Sequence, residues 1–237
     1  MKILAVDSTA TTASIAITED ELLLAEYTVS NGNTHSETLL PMIESALHTL
    51  ALSVSDIDIF ACSAGPGSFT GVRIGAATIK GLAFGSKKPC VAVSTLEALA
   101  YNLIGTSSLI CPVMNARRSQ VYTALFESDG ENLTRISEDL AISIAELDDL
   151  LSKTEREVSF CGDGYDVTLP EIKLTRYATT PKRARIQSAY SVACVALKKY
   201  NSGEFVSDTE LVSTYLRPCQ AERELAEKMK TEQKNNL

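Results

Sequence analysis

The chain has no tryptophan, only two histidines, no Cys-x-x-Cys pair, and no basic residue between Lys2 and Arg73. His35 and His48 stand 13 residues apart. On one helix that is about 220° around the axis, so the two cannot chelate one ion. The six cysteines, Cys62, Cys90, Cys111, Cys161, Cys194 and Cys219, are dispersed among aliphatic neighbours. They read as reduced, small apolar residues and not as bridges or zinc ligands. No apolar run approaches the roughly 18 residues that cross a bilayer. The start, Met-Lys-Ile-Leu-Ala-Val-Asp, lacks the apolar segment of a signal peptide. A cytoplasmic chain with no membrane partner is expected. The missing basic residues leave one lysine against nine acids before Arg73, while the remainder is balanced. Such an acidic half repels phosphates, so direct nucleic-acid binding through it is not expected. Arg117-Arg118 and Lys182-Arg183-Ala-Arg185 are short and read as solvated loop charges.

What is present is an ordinary globular composition: 237 residues, 45% hydrophobic and 22% charged. Alternating apolar residues predict strands at Lys2–Asp7, Ala13–Thr18 and Leu22–Val29. Thr34-His-Ser-Glu37 has capping-box spacing before a helical apolar pattern, Leu39 to Leu50, in which Pro41 should kink the helix or mark its first turn. A strand at Asp58–Ser63, a helix from Phe69 to Phe84 with Ser68 as N-cap, a strand at Val91–Val93 and a helix at Thr95–Ile104 follow. The order then restarts with strands at Leu109–Asn115, Gln120–Phe126 and Asn132–Ile142. A helix at Ser143–Leu151, a strand at Val158–Cys161 ending in Gly162-Asp-Gly164, and a helix at Ser188–Tyr200 complete the pattern. The tail from Ala221 is charged and balanced, a loose helix or a frayed end.

A shift of 108 residues lays the first three strands on the second three, Asp7 over Asn115. A repeated β-β-β-α-β-α unit is the pattern of the two-lobed α/β fold of the actin-like, Hsp70-like and sugar-kinase ATPases (ASKHA). The expected domains are 1–105, a first lobe carrying the partner interface, and 106–237, a smaller second lobe whose last helix returns to the first. In that fold an acid ends the first strand of each half and faces nucleotide and Mg²⁺. Here the pair is Asp7 and an amide, Asn115, which lacks the charge that Mg²⁺ requires.

Gly65-Pro-Gly-Ser-Phe-Thr-Gly-Val-Arg-Ile-Gly75 is the most specific stretch. It delivers the chain to a helix N-terminus without the Gly-Lys-Ser/Thr of a P-loop. Inside the helix, Gly71, Gly75 and Thr78 form one small-residue stripe; Ala77, Gly81 and Gly85 form another. Helical glycine costs up to about 1 kcal/mol relative to alanine, so another backbone should approach closely, within the domain or across an interface.

The undecapeptide resembles the signature of the bacterial TsaB (YeaZ) family. Further matches are Leu4-Ala-Val-Asp-Ser-Thr, His35-Ser-Glu-Thr-Leu-Leu-Pro41, Asn115-Ala-Arg-Arg-Ser-Gln-Val-Tyr122 and Tyr215-Leu-Arg-Pro-Cys-Gln-Ala-Glu222. Asn115 departs from the family's usual Asp, and Ser119-Gln120 from Gly-Glu. The resemblance implies a non-catalytic scaffold with no cofactor and no metal. It would serve threonylcarbamoyl transfer to N6 of adenosine 37 in tRNAs reading ANN codons, through a TsaD catalytic subunit. TsaE, an ATPase, would join that pair; alone the chain would form a homodimer, and tRNA would be met only indirectly. TsaD holds its metal with an H-x-x-x-H motif that this sequence lacks.

The expected interface joins Gly71, Arg73, Gly75 and Thr78 with a surplus apolar face formed by Leu39, Met42, Ile43 and Ala46. Arg73 should meet an acid, and Gly75→Leu should loosen association while leaving the monomer folded. The alternative reading is a small ASKHA-type ATPase or phosphotransferase with Asp7 as Mg²⁺ anchor and the Ser68 helix terminus for phosphate. A peptidase finds no support, since neither histidine assembles a triad or metal pair.

Overall fold

The computed structural model describes residues 1–32 and 34–217. Cys219, the end of the Tyr215–Glu222 motif and the charged tail from Ala221 lie outside the described residues.

Three antiparallel strands, β1 (Lys2–Asp7), β2 (Ala13–Glu19) and β3 (Leu22–Val29), begin the first sheet. The chain crosses through α1 (His35–Thr49) to β4 (Ile59–Ser63), and through α2 (Phe69–Ser86) to β5 (Cys90–Val93), both parallel to β1. The sheet order is β3-β2-β1-β4-β5. The two-residue period of β1 divides its side chains between two cores. Leu4 and Val6 pack with Leu39, Ile43 and Ala46 of α1 and Ile79 and Ala83 of α2. Ile3 and Ala5 point the other way, onto α6 (Ala189–Asn201) through Val192, Ala193 and Ala196. Because both faces are covered, β1 reads as an almost unbroken apolar run.

The second sheet repeats the plan. Its strands are β6 (Leu109–Arg117), β7 (Gln120–Thr123), β8 (Phe126–Ser128), β9 (Leu133–Arg135), β10 (Leu140–Ser143), β11 (Val158–Cys161) and β12 (Tyr177–Ala178), with a main order β10-β7-β6-β11-β12. The strands expected at Gln120–Phe126 and Asn132–Ile142 are each broken in two. β7 and β8 keep one register against β6, pairing Val113 with Thr123 and Ile110 with Phe126. Between them the Leu125 carbonyl accepts the amides of Ile136 and Ser137, and the Leu125 amide donates to Ser137 Oγ. That local loop interrupts both ladders. The 108-residue offset also slips by one along the second strand. Asp7 pairs with Ser14, whereas Asn115 pairs with Val121, because the ladder is irregular between Asn115 and Arg117.

Helices differ more than strands. The second lobe has α4 (Ile144–Leu151) where the first has α1, and only the single turn α5 (Tyr165–Thr168) where the first has α2. The short α3 (Thr95–Tyr101) leaves the first half to pack Leu96 and Leu99 against Ile110, Met114 and Phe126 of the second. Each half thus lends a helix to the other. Thr34 makes no side-chain cap bond, so the expected capping box does not form, and α1 runs on through Pro41. Among the described residues the five cysteines are free and buried, and no helix is long and apolar enough to cross a membrane.

Candidate functional site

The parallel strands β1 and β4, and β6 and β11, end at the meeting of the two lobes. Asp7, the last residue of β1, is 1% exposed. Its Oδ1 accepts the Thr9 amide at 2.9 Å and the Thr9 hydroxyl at 2.7 Å, and its Oδ2 accepts the Ser63 hydroxyl at 2.5 Å. Burial pushes this carboxyl above its ordinary value, opposed by the Ser63 and Thr9 bonds and by His35. A magnesium anchor must show open oxygens to a hydrated ion, whereas both oxygens of Asp7 accept hydrogen bonds inside the protein. The alternative reading of Asp7 as Mg²⁺ anchor is not favoured by this arrangement, in which three of the carboxylate's acceptor sites are already in use. Asn115 is also self-engaged: its Oδ1 accepts the Arg117 amide at 2.8 Å.

The acid that faces Asp7 from the second lobe is Asp163. The sequence pattern marked Gly162-Asp-Gly164 as a strand end and passed over the carboxylate between the glycines. Asp163 Oδ1 accepts the Asn115 amide at 3.3 Å. The residue keeps exposed surface. Even so, protein crowding its carboxyl, with the Asp7 charge in support, pushes it up to about 6. Among the described residues, no three His, Cys, Asp or Glu side chains are grouped to hold a metal ion.

The Gly65–Ser68 loop and the start of α2 wrap the turn that follows Asp7. The Ser68 amide donates to the Thr9 carbonyl at 2.7 Å, and Ser68 Oγ accepts the Gly71 amide at 3.3 Å. Ser68 is a helix cap already in use. Ser8 Oγ donates to the Gly71 carbonyl at 2.8 Å. An added Cβ at Gly71 would strike the Ser8 carbonyl, and one at Gly75 would lie 2.6 Å from Ser8 Oγ. These glycines therefore admit the protein's own turn, which corrects their placement in a partner interface. Thr78 is half-buried and bonds back to Ile74 of its own helix at 2.9 Å.

Leu39, Met42, Ile43 and Ala46 are corrected as well: all four are buried in the first core beneath α1. The expected surplus face is the helix's ordinary inner face, wide because α1 packs on both the sheet and α2. Arg73 is exposed but finds no acid among the described residues. Its guanidinium lies 3.8 Å from the Phe69 ring centroid, and its Nε donates to Tyr215 Oη at 3.1 Å. A cation over an aromatic face is held by the ring quadrupole.

Another surface remains open. Ala77, Gly81, Phe84 and Gly85 recur at helical spacing along the exposed crest of α2, and Phe84 is 74% exposed. Among the described residues, no atom comes within 4 Å of a Cβ built on Gly81 or Gly85. Beside this crest, α1 exposes Leu40 (54%), Pro41, Glu44 and His48. Two adjacent helices therefore present a low crest, apolar at Leu40, Pro41, Ala77 and Phe84 and edged by Glu44 and His48, that no described part of the chain covers. Of the two small-residue stripes in the sequence, the second, Ala77-Gly81-Gly85, is the one that faces outward.

Comparison with known proteins agrees with this architecture. The family model of tRNA N6-adenosine threonylcarbamoyltransferase, TsaD, matches residues 24–231. The tRNA threonylcarbamoyladenosine biosynthesis protein TsaB of Bacillus subtilis (strain 168) is 36% identical over 162 residues, covering 68% of this chain and 71% of that protein. Its Escherichia coli (strain K12) counterpart is 28% identical over 221 residues, covering 92% and 95%. The structure of YeaZ from Pseudomonas aeruginosa superposes with a TM-score of 0.78 at 21% identity, covering 91% of this chain and 99% of that one, so the two share a fold. On the strength of the matched signature, the duplicated two-lobed fold and these similarities, the chain belongs to the TsaB family.

Proposed function

We propose that this chain is a non-catalytic subunit of tRNA threonylcarbamoyladenosine biosynthesis that docks on a TsaD-type transferase through the exposed crest of α1 and α2. The observation that carries the reading is the crest itself, where Phe84 stands 74% exposed between glycines that no described residue covers. Exposed aromatics bordered by small residues suit close helix–helix contact and are frequent energetic centres of interfaces. Chemistry has less support: Asp7 is closed in by Thr9 and Ser63, and Ser68 is spent as a cap.

The choice of partner rests on kinship. The chain matches the TsaD family model over most of its length, so a transferase of that family is expected to carry an equivalent helix pair. A face that can pair with a second copy about a twofold axis can then pair with a paralogue about a pseudo-twofold. The homodimer is the same contact made in the paralogue's absence. A TsaE-type ATPase would join the assembled pair, and tRNA would be met through the transferase.

Gly81→Arg tests this reading. Among the described residues nothing lies within 4 Å of the added Cβ, and replacing a helical glycine stabilises the monomer by up to about 1 kcal/mol. The variant should keep or raise its melting temperature yet lose co-purification with the transferase subunit and sediment as a monomer. Undiminished pull-down and dimerisation by Gly81→Arg would place the interface elsewhere.

A further inference from the structure

The segment after α6 does more than end the chain. Val206 forms an antiparallel bridge with Cys90 at the edge of the first sheet, with N–H···O distances of 2.8 and 2.9 Å. Leu211 then plugs the first core at 2% exposure. Lys80 of α2 reaches the Thr209 carbonyl at 3.5 Å, so the segment runs back along α2 toward its N-terminus. There the Thr214 amide donates to the Ala64 carbonyl at 2.7 Å. The Thr214 carbonyl occupies the space that a side chain on Gly65, with φ +117, would need. Tyr215 stacks on Phe69 with centroids 5.0 Å apart and accepts the Arg73 Nε–H. Two residues later Arg217 crosses to the second lobe, and its Nη1 donates to the Ala116 carbonyl at 3.0 Å.

The receiving turn has an unusual backbone. Arg117, Arg118 and Ser119 hold φ of 63°, 55° and 53° in succession, all in the left-handed region without a glycine. Such residues persist only where their surroundings hold them. Arg217 at Ala116 and the Asn115 carboxamide on the Arg117 amide supply two such holds.

We propose that Leu211–Arg217 is a clasp that ties the second lobe to the first turn of α2, so that the setting of the lobes is transmitted to Phe69 and Arg73 beside the docking crest. The regulatory part of this inference rests on the docking reading above; the tie between lobes does not. Two residues join the ends of the device. Arg217 holds the second lobe, and Tyr215 holds the only cationic side chain on the exposed face of the first half of α2. Opening the clasp frees Arg73 to swing from its ring and unfastens the Gly65 loop from Thr214. Docking is then sensitive to any event that moves the lobes, although the crest lies wholly on one of them.

Hydrogen exchange and transferase binding, measured on the full chain, test the clasp. Arg217→Ala should speed exchange at Arg117, whose amide Asn115 Oδ1 holds, and also, across the lobe junction, at Gly71, Val72 and Arg73. Loss of one such bond predicts about a fivefold change in exchange and in transferase affinity. Tyr215→Phe keeps the ring on Phe69 but drops the hydroxyl acceptor. It should weaken docking while leaving exchange at Arg117 at the wild-type rate. Unchanged exchange in β1 and β4 shows that neither variant unfolds the core. An effect of Arg217→Ala confined to Arg117, with α2 unmoved, would overturn the clasp. Wild-type protein that fails to bind the transferase would overturn the docking reading instead, and the exchange measurements would still decide the tie between lobes.

Discussion

The two lobes share a strand order but not a use of helices. In the first, α1 and α2 span 15 and 18 residues, and their outer faces are open along Leu40, Ala77, Gly81 and Phe84. In the second, α4 spans 8 residues and α5 only 4, and β12 is reduced to 2. A helix of one turn has no crest to offer, because it cannot repeat a position at i, i+4 and i+7. The difference teaches that a duplicated unit can keep its sheet, which its own core requires, while its helices diverge according to what covers them outside. The first lobe retains an exposed helical face, whereas the second retains a packed sheet and the turn that receives Arg217.

The sharpest way to break this comparison is at the glycines of α2. Gly75→Leu, once expected to disturb only association, should instead push against Ser8 Oγ and Val6 beneath it. Overpacking there should lower monomer stability by about 3 kcal/mol, seen as an earlier midpoint in urea. A folded, unshifted Gly75→Leu would restore the interface view of that stripe. The outward Gly81→Arg should move stability in the opposite direction.

A smaller effect is expected at the lobe junction. Asp163 is pushed up to about 6 from an ordinary 3.8, so between those values the folded state holds a proton that the unfolded chain has already released. Stability therefore falls as pH rises through that window. With the side chain partly in solvent, screening limits the effect to about 1 kcal/mol. Asp163→Asn should flatten the thermal midpoint against pH between about 4 and 6. A slope unchanged in that variant would remove Asp163 from the junction electrostatics, leaving Asp7, whose buried carboxyl is shifted in the same direction.

The smallest contrast sets one lobe's helix start against the other's. Ser143 caps α4 through a complete box, its Oγ accepting the Glu146 amide at 3.2 Å and Glu146 returning to the Ser143 amide at 2.8 Å. Thr34 at α1 makes no such bond. Ser143→Ala should cost about 1 kcal/mol, and Thr34→Ala a few tenths at most. Equal losses in a denaturant titration would mean that Thr34 caps α1 in solution after all.

Most of the strands, the Ser68 cap and the family signature could be read from the chain, because each depends on neighbours a few residues apart, and the duplicated order followed from comparing the two runs of elements. Alternation in Lys2–Asp7 and the spacing of the Gly65–Gly75 motif are local facts. The direction each face takes is not. Leu39, Met42, Ile43 and Ala46 looked surplus until α1 was seen packed on both sheet and α2, and Gly71 and Gly75 looked like interface until Ser8 filled them. Likewise Asp7 could be nominated as an open carboxylate only while Thr9 and Ser63, one of them 56 residues away, were not known to bond it. Arg73 went to an aromatic pair because Tyr215, 142 residues on, arrives beside Phe69. Periodicity determined which residues turn inward together; only the tertiary structure decided what meets them, since contacts between distant segments are set by chain crossings that no short window contains.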